Sequence, residues 1–106
     1  RQVMSNYGDG GPAREAYLGR PFGLAVDARD NIYVTMRSAN LIRKIGTDGI
    51  IQTIAGTDSV ALRGDHDARK MYLNQPFDLA FLPDGSLLAS EARGHRLIRF
   101  FVQWDK

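Results

Sequence analysis

Slid against itself by 55 residues, this chain of 106 residues lands on its own echo. Ala13, Arg14, Tyr17, Leu18, Pro21, Phe22, Leu24 and Ala25 fall on Ala68, Arg69, Tyr72, Leu73, Pro76, Phe77, Leu79 and Ala80, which is eight identities in 13 positions. Conservative matches carry the echo further: Val26 over Phe81, Ile32 over Leu87, Tyr33 over Leu88. With one residue added, Asn40-Leu41-Ile42-Arg43 answers Arg96-Leu97-Ile98-Arg99. Nearly the whole chain is two copies of one unit, and a repeat period of roughly 50 residues belongs to propellers and solenoids.

Within each unit the apolar residues alternate with period two, the pattern of short strands rather than of helices. Copy one reads as four strands, Phe22–Val26, Ile32–Met36, Leu41–Ile45 and Ile50–Ile54. The turns between them are rich in Asp, Asn and Gly, as short antiparallel connections require. Copy two repeats the first three strands as Phe77–Leu82, Leu87–Ser90 and Leu97–Val102, and the chain stops where a fourth would begin. At the other end, Arg1-Gln2-Val3-Met4-Ser5-Asn6 lines up with the fourth strand of copy one, Ile51-Gln52-Thr53-Ile54-Ala55-Gly56. The expected organisation is a displaced fourth strand at 1–6, one blade at 7–56 and a second at 57–106 that lacks its fourth strand. Such a phase shift lets an N-terminal strand complete the last blade and so close a ring.

The segments Asn6–Arg20 and Thr57–Gln75 are long for connections, and each contains a short candidate helix, Ala13–Leu18 and Ala68–Leu73. Gly10-Gly11-Pro12 and Gly64-Asp65-His66-Asp67 supply turn or N-cap chemistry before them. Connections this long are disproportionately functional. The 14 Lys and Arg against 12 Asp and Glu predict no strong generic pull on nucleic acid, although 11 of those cations are Arg. With no Cys there is no disulfide scaffold, thiol chemistry or Cys-ligated zinc. No apolar run approaches the ~20 residues of a membrane-spanning helix. Arg at position 1 is what a processed chain or an excised piece would show, with no signal segment to reveal a compartment.

These residues resemble the NHL-repeat β-propellers, in particular their bacterial form. The shared motifs are Gly8-Asp9-Gly10-Gly11-Pro12-Ala13, then Ala16 and Leu18, Pro21–Asp27, Asn31–Val34, Ile42–Ile45, Asp48-Gly49 and Thr53–Gly56. Copy two departs from them at Gly64-Asp65-His66-Asp67-Ala68, at Asp78 in place of the glycine at position 23, and at Leu88-Ala89 in place of Tyr-Val. The resemblance implies an all-β fold of two four-stranded antiparallel blades within a six-bladed ring. Two blades alone leave open faces and edges. The ring would come from a longer chain or from self-association, with a homotrimer supplying six blades. The resemblance also suggests a secreted or periplasmic bacterial setting; the residues themselves leave the compartment unknown.

Candidate chemistry is sparse. His66 lies between Asp65 and Asp67, and Glu91 stands four residues before His95. A His/carboxylate group of this kind can serve a metal or general acid–base catalysis. Neither histidine is repeated, however, and a zinc triad would need a third. Asp27, Asp30, Asp48, Asp58, Asp84 and Asp105 fall in turns, where backbone capping explains them. Asp78 is the one acid near a first strand, and alone it makes no calcium site. Gly8–Gly11 lacks the Lys-Ser/Thr of a phosphate loop. Phe22, Phe77, Tyr17 and Tyr72 recur at matched positions and read as core.

The expected binding surface is the long-loop face carrying Arg37, Arg63, Asp65, His66, Glu91, Arg93 and His95, with no cofactor and no metal. The reading is a non-catalytic propeller scaffold that binds a protein, peptide or glycan, more a binding module than an enzyme. The alternatives are a calcium-dependent six-bladed propeller hydrolase or lyase, and an RNA-binding NHL module using Arg for phosphates and stacked bases. No membrane contact is expected, and nucleic acid is disfavoured by the acids sharing that face.

Overall fold

The computed structural model describes residues 8–16, 18, 20–37, 40–56, 73–91, 93 and 96–101. Seven strands form two antiparallel sheets. The first holds β1 (Pro21–Val26), β2 (Ile32–Met36), β3 (Leu41–Ile45) and β4 (Ile51–Ala55) in simple meander order. The second holds β5 (Pro76–Phe81), β6 (Leu87–Glu91) and β7 (Arg96–Phe100). The all-β, two-blade expectation holds, with strand ends within two residues of the sequence reading. The proposed fourth strand at 1–6 and the helix at Ala68–Leu73, apart from Leu73, lie outside the described residues.

Register corrects one detail of the repeat. Val34 pairs with Arg43 and Met36 with Leu41 in blade 1, while Ala89 pairs with Ile98 and Glu91 with Arg96 in blade 2. The offset is therefore 55 through the third strand as well, with no added residue. Ile98 is the counterpart of Arg43, and Leu97 of Ile42. The matching Leu-Ile-Arg tripeptides are out of step in space. Because side chains alternate across a strand, that one-residue slip exchanges the two faces of β7.

The core lies between the blades. Tyr33, Ile42 and Ala55 of blade 1 pack on Leu79, Leu87, Ala89, Ile98 and Phe100 of blade 2, with Leu73 of the connection enclosed among them. Tyr33 meets Phe81 edge-on at 5.1 Å, an arrangement that suits the ring quadrupoles. At the inner strands the sheets come closer still. The Thr35 hydroxyl accepts the Gly23 N–H at 2.7 Å and donates to the Phe77 carbonyl of the other blade at 3.0 Å. A β-carbon on Gly23 would overlap that carbonyl oxygen and lie 3.0 Å from the Asp78 Cα. Glycine is required there by the closeness of the neighbouring backbone.

The far face of blade 1 is covered in its outer half by the N-terminal segment. Leu18 packs on Met36 and Leu41. Arg43, fully buried, pairs with Asp9 at 2.7 Å and donates to the Met36 sulfur at 3.0 Å. Asp9 is thus an ion-pair partner and not a helix cap. The candidate helix shrinks to a 3₁₀ turn, Ala13–Glu15, whose N-cap is Pro12 with no side-chain cap. Ahead of it, Gly10 donates to Ile51 O at 2.8 Å, Ile51 donates to Gly11 O at 3.1 Å and Ala13 donates to Gly49 O at 2.8 Å. These bonds cover part of the exposed edge of β4, which would otherwise offer unpaired backbone groups.

Candidate functional site

Antiparallel order sends the β2–β3 and β6–β7 turns, together with the long connections into β1 and β5, to one end of the blades. Each inner strand enters from that end through a residue with left-handed backbone, Arg20 (φ 54°) or Gln75 (φ 60°), directly before proline. Non-glycine residues adopt this conformation uncommonly. At Gln75 it is supported by the Asn40 side-chain oxygen, which accepts the Gln75 N–H at 2.9 Å. Each strand then carries an irregularity at matched places, Pro21/Leu24 and Pro76/Leu79.

Alternation persists around these matched bulges: Phe22 is exposed together with Leu24 and Val26, while Phe77 is half-buried with the parity of the buried Leu79. The two rings stack with centroids 4.0 Å apart and planes 19° from parallel. Phe22 is 53% exposed, and the Arg37 guanidinium lies 5.5 Å above the Phe77 ring. Arg37 is held in turn by its own N–H, which donates to Arg20 O at 3.2 Å. The result is a stacked ladder of two phenylalanines and an arginine at the mouth of the inner strands, exposed at Phe22 and half-buried at Phe77 and Arg37. Phe22, expected in the core, is exposed instead, because it shares strand parity with Leu24 and Val26 on the side of blade 1 that no second blade covers among the described residues; its repeat counterpart Phe77 is half-buried. Tyr17 and Tyr72 lie outside the described residues.

Of the expected surface, Arg37 and Arg93 stand at this end, and Arg93 is exposed with its N–H directed to Asn74 O at 3.3 Å. Glu91 is buried instead. It accepts the Asn74 N–H at 2.8 Å and holds Arg96 through Nε–Oε1 at 2.5 Å and a second bond at 3.0 Å, which pushes the Arg96 pKa up. Its geometry is that of a clamp between the β6–β7 hairpin and the chain entering β5. Arg63, Asp65, His66 and His95 lie outside the described residues.

The opposite end consists of tight turns organised by aspartates. Asp27 accepts from the Arg29 and Asn31 N–H groups, the Asn31 amide and the Tyr33 hydroxyl. Burial pushes its carboxyl up, but the bonds led by Asn31 outweigh that and leave it below the usual range. The Tyr33 phenol is correspondingly raised, first by burial and then by Asp27. Asp84 accepts from the Ser86 hydroxyl at 2.6 Å and N–H at 2.9 Å, and from Arg99 at 2.5 Å. These partners, Ser86 foremost, lower it to about 2. The acids here order turns, as expected. Among the described residues no three His, Cys, Asp or Glu side chains come together as a metal site. No helix among them is long and apolar enough to cross a membrane.

The family model for the teneurin NHL domain matches residues 3–83. Teneurin-1 of Gallus gallus is 37% identical over 91 residues, covering 79% of this chain and 3% of that protein. Teneurin-4 of Homo sapiens is 39% identical over 87 residues, covering 76% of this chain and 3% of that protein. The chain therefore spans a small fraction of the length of these relatives. Among solved structures, catalytically inactive virginiamycin B lyase from Staphylococcus aureus with quinupristin superposes with a TM-score of 0.50 at 16% identity, over 83% of this chain and 28% of that one. That likeness concerns the β-propeller fold alone.

Proposed function

The chain belongs to the teneurin NHL domain family, and from that premise we propose that it is a non-catalytic propeller module whose ligand is a protein or peptide gripped on the long-loop face. The observation that carries this reading is the Phe22–Phe77–Arg37 ladder, which is half-buried at Phe77 and Arg37 and open at Phe22. Aromatic and arginine side chains supply much of the binding energy at protein interfaces, the rings because they bury large area with few rotatable bonds and arginine because its planar guanidinium both stacks and hydrogen-bonds. A pre-stacked ladder has already lost part of that freedom before a partner arrives. Arg93, with Arg63, Asp65, His66 and His95 as the sequence suggests, would form the polar rim, while Glu91 ties the β6–β7 hairpin that carries Arg93 to Asn74. A glycan is the alternative ligand for the same ladder. Ring completion is a separate matter. Three copies would supply the six blades of a ring.

The test is binding of the chain to immobilised peptide and glycan libraries, alongside Phe22→Ala and Arg37→Ala. Peptide signals weakened about tenfold or more by both changes, with the unfolding midpoint preserved, would support the reading. Peptide binding indifferent to both changes would place the site elsewhere, and glycan-only binding would replace the ligand class.

A further inference from the structure

The arginines of this chain differ in their company. Arg43, Arg96 and Arg99 each hold a carboxylate, those of Asp9, Glu91 and Asp84. Arg20, Arg37 and Arg93, all at the long-loop end, make no ion pair and no side-chain hydrogen bond among the described residues.

Two of these stand opposite one another. Pro21 pairs with Met36, and one step further out the Arg37 N–H donates to Arg20 O, so Arg20 and Arg37 form the next cross-strand pair. Like charges directly opposite destabilise a strand pair, and no described acid at this end pairs with either. Glu91 is buried and committed to Asn74 and Arg96. Asp78, one residue beyond Phe77 and of opposite strand parity, is exposed and accepts the Leu79 N–H at 3.2 Å. Beside the two cations, Phe22 offers an open ring. A guanidinium resting on a ring keeps N–H groups for a planar acceptor, and a carboxylate can take two at once. Arg37 is half-buried, and such a bond is stronger where water is partly excluded.

We propose that the ladder selects a peptide carrying an acidic residue beside an aromatic one, with the carboxylate held by Arg20 and Arg37 and the ring laid on Phe22. This rests on the peptide reading of the same site and adds the charge of the ligand. Single-stranded nucleic acid is the competing anion. It is gripped by a run of cations and several stacking rings, whereas Phe77 is half-buried against Phe22 and Phe22 is the exposed ring at this end among the described residues.

Nuclear magnetic resonance of the whole chain, read at backbone amides and arginine Nε–H groups, decides it. The probes are capped peptides in a Gly/Ser frame carrying Glu-Phe-Glu, Gln-Phe-Gln or Glu-Ala-Glu, and a single-stranded oligothymidylate. The Glu-Phe-Glu peptide should bind about tenfold more tightly than either other peptide and should shift the Arg20 and Arg37 Nε–H signals. Its advantage over Gln-Phe-Gln should vanish in Arg37→Gln and shrink in Arg20→Gln. Because Arg20→Gln relieves the cross-strand repulsion, its unfolding midpoint should equal or exceed that of wild type; a clear drop would make Arg20 a structural prop and overturn the proposal. Equal binding of the Glu-Phe-Glu and Gln-Phe-Gln peptides, both weakened by Phe22→Ala, would overturn it and leave the peptide reading standing. No binding by any peptide would overturn both. Oligothymidylate bound more tightly than Glu-Phe-Glu, and released by Arg37→Gln, would overturn it in favour of nucleic acid.

Discussion

At the scale of single residues, position 43 and its counterpart show how the setting selects the chemistry. On the far face of blade 1, Arg43 is buried under the N-terminal segment and neutralised by Asp9 at 2.7 Å. At the same place in blade 2, between the sheets, stands Ile98 in the shared core. A buried charge persists only with its partner, whereas an apolar residue of similar reach needs none. The turn aspartates act more locally. Asp84, lowered from 3.8 to about 2 by Ser86 and Arg99, binds its proton more weakly in the folded chain than in the unfolded one. Its contribution to stability is therefore complete above the unfolded pKa and is lost as pH falls through the folded one. Urea midpoints of wild type should drop between about pH 4 and about pH 2. Asp84→Asn should start lower and decline less across that window. Parallel declines in the two proteins would mean that the turn bonds do not discriminate between folded and unfolded chains.

At the scale of elements, the decisive contact is the crossing of β1 and β5 at Gly23. Gly23→Ala adds one methyl against the Phe77 carbonyl and should cost about 1–3 kcal/mol, as overpacking does in tight interiors. Asp78→Ala, at the matched but exposed position, should stay within about 0.5 kcal/mol. Equal losses from urea titrations of the two would mean that the blades stand further apart than described. This pair also shows how much the sequence made legible. Strand positions followed from period-two alternation and turn residues, and the repeat identified the fold. The face that each side chain occupies was harder to read. The Leu-Ile-Arg match favoured an added residue in the third strand, yet pairing keeps the offset at 55 and turns Leu97 outward. The Pro-Phe steps at 21–22 and 76–77 are plain, yet matched residues meet different surroundings: Phe22 shares the exposed side of Leu24 and Val26, while Phe77 is half-buried with the parity of Leu79. Glu91 looked like a loop carboxylate because its partners Asn74 and Arg96 come together only through pairing of the hairpin.

At the scale of the molecule, the described residues form one blade-to-blade interface and leave open the inner part of the far face of blade 1 and the second face of blade 2. Leu24 and Leu79 are the same residue at the same place in successive repeats. Leu24, however, is 65% exposed on the far face of blade 1, while Leu79 is 8% exposed in the shared core. Sequence and local structure are matched between them, so any difference in their energetic weight measures what a neighbouring blade contributes. Leu79→Ala should cost about 2–5 kcal/mol, the range for truncating a buried leucine. Leu24→Ala should stay within about 0.5 kcal/mol and should lessen the binding of a hydrophobic dye. If the two changes cost the same in urea titrations, the far face of blade 1 is already covered in solution. A large cost at Leu79 beside a small one at Leu24 means instead that the repeat carries latent stability at Leu24, realised only when a further blade is seated there.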